Sequence, residues 1–478
     1  MSVTLIFLVI IGFFALLLLI SHFTSKHGNN ESFFSGNRQS PWYLVAWGMV
    51  GSTISGVTFI SVPGEVRNSS WNYLQYLLGN MIGYWIIAVV LIPLCYKLNL
   101  ISIYGYLQQR FGWKAYKTGA SFFLLSQTIG ASFRLFLAAG VLQFTFFDKL
   151  GVPFGLTVLI TLFAIWLYTR KAGIKTVVWT DTLQTAFILA SVIATIVVIN
   201  SQLNLGFREM TQVVTSSKMS TIFNWDWRSG NFFFKQFFAG IATAIAINGL
   251  DQNFMQKNLT CKTVGESKKN IYWFSFAFII SNIFFLSLGV LLYYYAEQKG
   301  IALPARTDDL FPMLAVNYFG TFAGVLFLLG ILAAAYSSAD SAITALTTSF
   351  CIDFLKMNSD TKNDKRIRTL VHFGFSMLIF VVIIVFKAIN NQSVVTAVFK
   401  AVGYTYGPLL GLFAFGLSNK RKLTDKWVPY ICIASPFICY IFSANSIAWF
   451  NGYVFGFELL ILNGLLTYLG LYAISKRN

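Results

Sequence analysis

Three groups of polar residues are set into long apolar runs: Gly51-Ser52-Thr53-Ile54-Ser55-Gly56 ahead of Pro63, Trp179-Thr180-Asp181, and Ala334-Ala335-Tyr336-Ser337-Ser338-Ala339-Asp340-Ser341. Hydroxyls and backbone carbonyls are oxygen ligands for a hard cation such as sodium, whereas transition metals favour His and Cys. An aspartate at membrane depth costs roughly 2.5–3.5 kcal/mol when it has no partner, and polar groups there mark ion or substrate paths. Asp181 and Asp340 therefore need a partner, and a bound cation is the natural one. Along 321–352, Ser337, Ser341, Thr344 and Thr348 recur at i, i+4, i+7 and i+11, which is one stripe of a helix. Hydroxyl glue between packed membrane helices is the competing reading of that stripe.

The elements that carry these residues follow from composition. The chain has 478 residues, 56% hydrophobic, 17% aromatic and 11% charged, with a mean hydropathy of +0.66. Too few polar side chains exist to coat a soluble globule, so lipid must solvate it. Apolar segments fall at about 3–22, 41–63, 72–96, 117–146, 153–169, 176–200, 232–255, 270–296, 321–352, 369–389, 393–417, 427–444 and 452–475. Most have the roughly 17–25 residues that a helix needs to cross a bilayer. About 13 transmembrane helices are predicted; barrel strands would be shorter and would alternate in polarity.

The net charge of +18 belongs to this arrangement. With the N-terminus outside, 24 of the 35 Lys and Arg residues fall on inward loops. That is the positive-inside pattern, predicting an N-out, C-in protein of the cell membrane, the inner one in a Gram-negative bacterium. A nucleic-acid partner is unnecessary. The first apolar stretch lacks a preceding cation and is longer than a signal core, so a retained helix is expected. Cys95, Cys261, Cys351, Cys432 and Cys439 show no paired metal spacing and read as packing residues.

Two of the spans are interrupted. Segment 41–63 contains Gly48, Gly51, Gly56 and Pro63; five spans later, 232–255 contains Gly240, Asn248, Gly249 and Asp251. Glycine-interrupted spans are where transporters unwind a helix, and two of them, each opening a block of five, are what an inverted repeat produces. A simple kink at 41–63 is the alternative. The predicted organisation is one membrane domain over 1–478: an extra helix and inner loop at 1–40, a first repeat at 41–200, a second at 231–417, and extra helices at 418–478. No P-loop spacing appears, so an ion gradient is the expected energy source. His22, His27 and His372 are scattered and pair with no nucleophile, so an enzyme is not expected. A transporter-like sensor or channel is the competing class.

At this point the chain resembles the sodium/solute symporter family, which includes bacterial sodium–galactose, sodium–proline and sodium–sialic acid carriers. The likeness covers about 41–417. Its anchor is Lys171-Ala172-Gly173-Ile174-Lys175-Thr176-Val177-Val178-Trp179-Thr180-Asp181-Thr182-Leu183-Gln184. It continues in Tyr106-Leu107-Gln108-Gln109-Arg110-Phe111-Gly112, in Asp251-Gln252 followed by Gln256-Lys257, and in the Ala334 to Ser338 segment ending at Ile352-Asp353. The resemblance implies an all-α LeuT-type 5+5 fold, a broken first core helix at 41–63, and sodium-driven alternating access.

Carried over by position, the resemblance implies a sodium site from the carbonyls of Gly51, Ile54 and Ala334 with the hydroxyls of Ser337 and Ser338. Gly51 stands where the family usually has Ala. A second sodium is implied at Asp181, Asp340 and Ser341, where Asp340 replaces a hydroxyl; either a cation lies between the two aspartates or one stays protonated, and the cation is favoured. Thr53, Ser55 and Thr58 match hydroxyl contacts of the sialic acid carrier, whose carboxylate-binding arginine lies about one turn from the position of Arg134. Lys400 stands where the galactose carrier has a sugar-contacting glutamine and is, with Arg134, an expected substrate-binding cation, while Thr58 and Leu77 replace other sugar contacts, so the galactose pattern is lost. Arginine's planar fork suits a carboxylate, so the expected substrate is an anionic solute, a sugar acid such as sialic acid or a monocarboxylate. The alternatives are a neutral sugar or amino acid, with Arg134 and Lys400 serving only to neutralise Asp181, Asp340 or Asp251. Sodium is the only expected ion, no organic cofactor is implied, and function as a monomer in the bilayer is expected.

Overall fold

A computed structural model describes residues 3–26, 29–171, 173–357, 361–389, 401–453 and 455–476. The principal helices are α1 (Val3–Thr24), α2 (Trp42–Thr53), α3 (Gly56–Ser69), α4 (Tyr73–Ile86), α5 (Trp113–Leu142), α6 (Phe154–Thr169), α7 (Ile174–Gln202) and α8 (Phe233–Thr243). They continue with α9 (Gln252–Asn258), α10 (Val264–Gln298), α11 (Gly320–Ser349), α12 (Lys362–Ile389), α13 (Gly407–Ser418), α14 (Val428–Ala444) and α15 (Leu459–Ala473). Among the described residues, eight helices are long and apolar enough to cross a membrane, or nine if a bent pair counts as one span. A short antiparallel pairing joins Lys422–Leu423 to Ser475–Lys476.

Both glycine-interrupted segments are broken helices. α2 ends at Thr53, Ile54 takes φ −75° and ψ 85°, and α3 restarts at Gly56. Ser55 caps the restart, its hydroxyl accepting the Thr58 N–H at 3.5 Å, as short hydroxylated residues do at helix N-termini. The break lies ahead of Pro63, which α3 accommodates in its interior. The second break falls after a π-turn at Ala244–Gly249, where the chain bends by 72° into α9. There Asp251 is the cap, its carboxylate accepting the Asn253 N–H at 2.7 Å.

The two breaks sit in mirrored surroundings. The first broken span, through both α2 and α3, packs along α10, and the second, through α8, packs along α4. The α4–α8 crossing is built from small residues at i, i+4 on both helices. A Cβ on Gly79 would come within 2.0 Å of the Phe237 carbonyl, one on Gly240 within 2.2 Å of the Tyr76 carbonyl, and one on Gly83 within 2.6 Å of the Ala244 methyl. Small residues let membrane helices approach backbone to backbone. At the centre lies α11, whose residues from Gly330 to Ser349 are all buried.

Candidate functional site

α11 runs antiparallel to the first break, and the contacts fix the register. Gly330 faces Phe59, where an added Cβ would meet the ring at 2.8 Å, and the Ile331 side chain lies 3.7 Å from the Cβ position of Gly56. One and two turns further along α11 come Ala334 and then Ser337, whose hydroxyl donates to Asp181, the residue that Gly48 of α2 faces. In this break the Ser55 N–H bonds the Thr53 carbonyl at 3.0 Å, so it does not close a helical bond on Gly51. The Thr58 N–H goes to the Ser55 hydroxyl, which releases the Ile54 carbonyl in the same way. The Ser338 hydroxyl is buried and makes no hydrogen bond. The break thus leaves the Gly51 and Ile54 carbonyls without a helical N–H, and on α11 the Ser338 hydroxyl is buried without a bond, both being oxygen groups of the kind a hard cation takes.

Gly51 has a packing role besides its carbonyl. A Cβ there would lie 2.2 Å from the Thr185 hydroxyl oxygen, and one on Gly48 would lie 3.0 Å from the Asp181 Cβ. These two glycines let α2 lie against the polar face of α7, where the Gly51 N–H donates to Thr185 Oγ1 at 3.1 Å. The bare Cα is therefore a requirement of this chain's packing, which the sequence alone did not reveal.

Asp181 is 1% exposed and has a partner that no motif reading supplied. Lys257 Nζ lies 2.7 Å from Asp181 Oδ2, and the ammonium is itself only 3% exposed. The Ser337 hydroxyl donates to the other oxygen, Asp181 Oδ1. Asp340 is held separately: it accepts the Tyr168 hydroxyl at 2.7 Å and the Ser341 hydroxyl at 3.1 Å. In the linear map Lys257 counted among the inward-loop cations. The bend before α9 carries it back into the bundle instead.

Lys257 also forms part of the wall of a cavity of about 160 Å³ between the two breaks. Ser52, Thr53 and Thr58 line it from the first break, Asp251 and Asn253 from the second, and Tyr73, Tyr76, Asn80 and Tyr84 from α4. Ser55 is not on this wall. Arg134 reaches the cavity from α5; its Nε donates to the Gly130 carbonyl at 3.0 Å and one terminal nitrogen to Gln127 Oε1 at 3.3 Å. Asp251, the acidic residue of this wall, is satisfied elsewhere, accepting the Tyr406 hydroxyl at 2.5 Å. Among the described residues no carboxylate lies within 4.0 Å of Arg134. Lys400 falls outside the described residues.

Above α3, Thr307 donates its hydroxyl to Glu65 at 2.5 Å, and the buried Asp308 follows it with Arg306 at 3.9 Å. Burial pushes the Asp308 carboxyl above its usual range; the Ser61 hydroxyl and Arg306 oppose that shift. All five cysteines are buried as free thiols.

Two broken helices facing a central cavity define a secondary transporter of the inverted-repeat class. The sequence profile of the sodium:solute symporter family matches residues 33–425, and the chain belongs to that family. It is therefore a sodium-coupled symporter of a small solute. It is 24% identical to the sodium/sialic acid symporter NanT of Aliivibrio fischeri, over 93% of this chain and 89% of that one. It is 26% identical to the human sodium-coupled monocarboxylate transporter 2, over 82% of this chain and 64% of that protein. A solved substrate-bound, outward-open Na+-coupled sialic acid symporter has the same fold, with a TM-score of 0.81, 20% identity and 99% of both chains covered. A nucleobase-cation-symport-1 family transporter in a closed conformation shares it more distantly, with a TM-score of 0.56 at 12% identity over 91% of this chain and 92% of that one.

Proposed function

We propose that this symporter imports a small organic anion, a sugar acid or a monocarboxylate, and that Arg134 holds its carboxylate. The observation that carries this reading is Arg134 itself: a guanidinium on the wall of the central cavity with no carboxylate within 4.0 Å among the described residues, while the nearby Asp251 is bonded to Tyr406 and Asp181 to Lys257. The neutralising role considered for Arg134 thus falls to Lys257 in the case of Asp181. A planar fork with unfilled donors is suited to a two-oxygen anion. Thr53 and Thr58 supply hydroxyls on the opposite wall. The relatives named for sialic acid and for monocarboxylates agree with an anionic solute.

In this reading sodium sits on the Gly51, Ile54 and Ala334 carbonyls with the Ser337 and Ser338 hydroxyls, and bridges the first break to α11. Bridging favours the arrangement in which the break is closed on α11, so the ion's differential affinity drives the conformational exchange. A second sodium at Asp181, Asp340 and Ser341 competes with the Lys257 ammonium for Asp181 while supplying the positive charge that the second carboxylate, Asp340, lacks. Lys257 belongs to both regions, so an ion arriving at Asp181 frees a positive charge at the floor of the anion cavity. The protein works as a monomer with its N-terminus outside, in keeping with the loop charges.

The test is a thermal-shift series on the purified protein with sugar acids, monocarboxylates, neutral sugars and amino acids, in sodium and in choline. Carboxylates that raise the melting temperature only in sodium support the reading. Stabilisation by neutral sugars alone removes Arg134 as the anion site. Uptake into proteoliposomes, with the sodium-to-solute flux ratio measured, counts the ions.

A further inference from the structure

The segment before α15 lies outside the two repeats, yet it reaches the mouth of the central cavity. The Phe457 ring packs on Tyr76, with centroids 5.3 Å apart and an interplanar angle of 30°, and Tyr76 stacks on Tyr73 at 5.6 Å. Tyr73 and Tyr76 are walls of the central cavity. Phe457 in turn lines a second chamber of about 200 Å³ with Ser61 and Leu286, and this chamber shares Thr58 and Tyr73 with the central cavity. Phe457 therefore lies on the chamber wall against a tyrosine of the cavity wall, next to the residues that chamber and cavity share.

Its neighbour holds it there. One carboxylate oxygen of Glu458 accepts the Gly456 N–H at 2.8 Å and the Tyr453 hydroxyl at 2.7 Å, which folds the segment into a turn. The same oxygen lies 3.1 Å from Lys235 Nζ on α8, and that ammonium also sits 4.6 Å from the Tyr453 ring centroid. Both charged side chains are largely covered, at 17% and 18% exposed. The segment is thus fastened to the outer half of the second broken helix, and α8 is locked to α4 by the Gly79–Gly240 crossing. Lys235, Tyr76 and Phe457 form one connected block.

We infer that Phe457 is a gate residue on the substrate path, an aromatic plug supplied by the extra C-terminal helices. It closes the outer chamber from the central cavity and sets the size of solute that passes. The inference rests on the central cavity being the substrate site but not on the charge of the solute. A row of three aromatic rings, Phe457 on Tyr76 and Tyr76 on Tyr73, makes a water-excluding seal with few rotamers to order. Fastening to α8 ties its opening to movement of the second broken helix.

The experiment reads access directly. Thr58→Cys places a thiol where chamber and cavity meet, and Thr215→Cys places a control thiol on the exposed outer helix Phe207–Ser216. A membrane-impermeant anionic methanethiosulfonate is applied from outside in sodium, and modification of each introduced thiol is followed by peptide mass spectrometry. Adding Phe457→Ala is expected to speed modification at position 58 by about fivefold or more, as a more populated open form requires. Adding Phe457→Tyr instead keeps the slow rate, and the control thiol on the outer helix reacts at the same rate throughout. Lys235→Ala is expected to give an intermediate increase. An unchanged rate at position 58 in the Phe457→Ala background overturns the inference. So does an equal rise at the control thiol, or a rise with Phe457→Tyr as large as with Phe457→Ala, because either reports general loosening. The anion reading fails by a different observation, the ligand series above, so the two are separable.

Discussion

Lys257 Nζ and Asp181 Oδ2 lie 2.7 Å apart in the middle of the protein, with both side chains almost wholly buried. The pair joins α9, just past the second break, to α7, on which the first broken helix lies. Taking either charge out of water is costly, and the cost is offset only while both are present. One ammonium group therefore both pairs with Asp181 and lines the central cavity, where the proposed second sodium site and the proposed anion site would meet.

Removal of that ammonium separates structure from ion binding. Lys257→Gln is expected to cost about 3–5 kcal/mol in choline, the range for breaking a buried pair by deleting one partner. In sodium a large part of the deficit should return, because the cation can take the place of the ammonium at Asp181. Melting temperatures in the two salts measure this; equal deficits would remove Asp181 from sodium binding. The double variant Lys257→Gln/Asp181→Asn should be less damaged than the sum of the singles, as coupled charges are.

Arg134→Lys keeps the charge and loses the fork. It is expected to weaken carboxylate binding by about tenfold, the scale of one charge-assisted hydrogen bond, with the sodium-induced shift in melting temperature unchanged. Ligand titration by thermal shift reads both quantities. Equal binding by the two proteins would place the carboxylate elsewhere.

Ser338→Ala should hardly affect the sodium-free protein, because its buried hydroxyl has no hydrogen bond to lose. Its sodium half-saturation should rise by about tenfold, in line with the loss of one ligand to a charged group. Ser337→Ala differs: it removes a donor from Asp181, so stability falls along with sodium affinity. Sodium titrations of stability in the two variants test this contrast.

The outer cluster gives a pH dependence with a definite sign. Burial raises the folded-state pKa of Asp308, with Ser61 and Arg306 opposing the shift. The folded state then holds the proton more tightly than the unfolded one. This contribution to stability is complete below the unfolded carboxylate pKa and is lost as pH rises through the folded value. Asp308→Asn is expected to flatten that decline across the acidic range. Melting curves between acidic and neutral pH compare the two proteins, and parallel curves would count against it.

The breaks were legible because unwinding needs specific residue types. Glycines and hydroxyls within apolar runs marked 41–63 and 232–255 as interrupted, and the structure places the breaks within them at 54–55 and 250–251. Pro63 was a weaker guide, since α3 absorbs it. Ser337, Ser338 and Asp340 were legible because helical spacing alone puts them on one element. Lys257 was not: a lysine following a span reads as a loop cation, and only the 72° bend returns it to the interior. Arg134 could be read as an intramembrane charge, but that it forms no direct ion pair with the nearby Asp251 depends on that carboxylate turning to Tyr406, a residue 155 positions away in the chain. Phe457 carried no signal, because nothing local to it specifies a ring stacked on α4.

The glycine-to-backbone contacts of α4 and α8 have a mechanical meaning. Two helices whose carbonyls leave no room for even one methyl group cannot slide or twist past each other without separating, so they turn as one lever. Flexing is left to the unwound residues at 54–55 and 250–251, which lie at the ends of the helices that would swing. The stroke of the transporter is thus set by two hinges of a couple of residues each, and everything fastened to the lever, the tyrosines above the cavity included, travels the same arc.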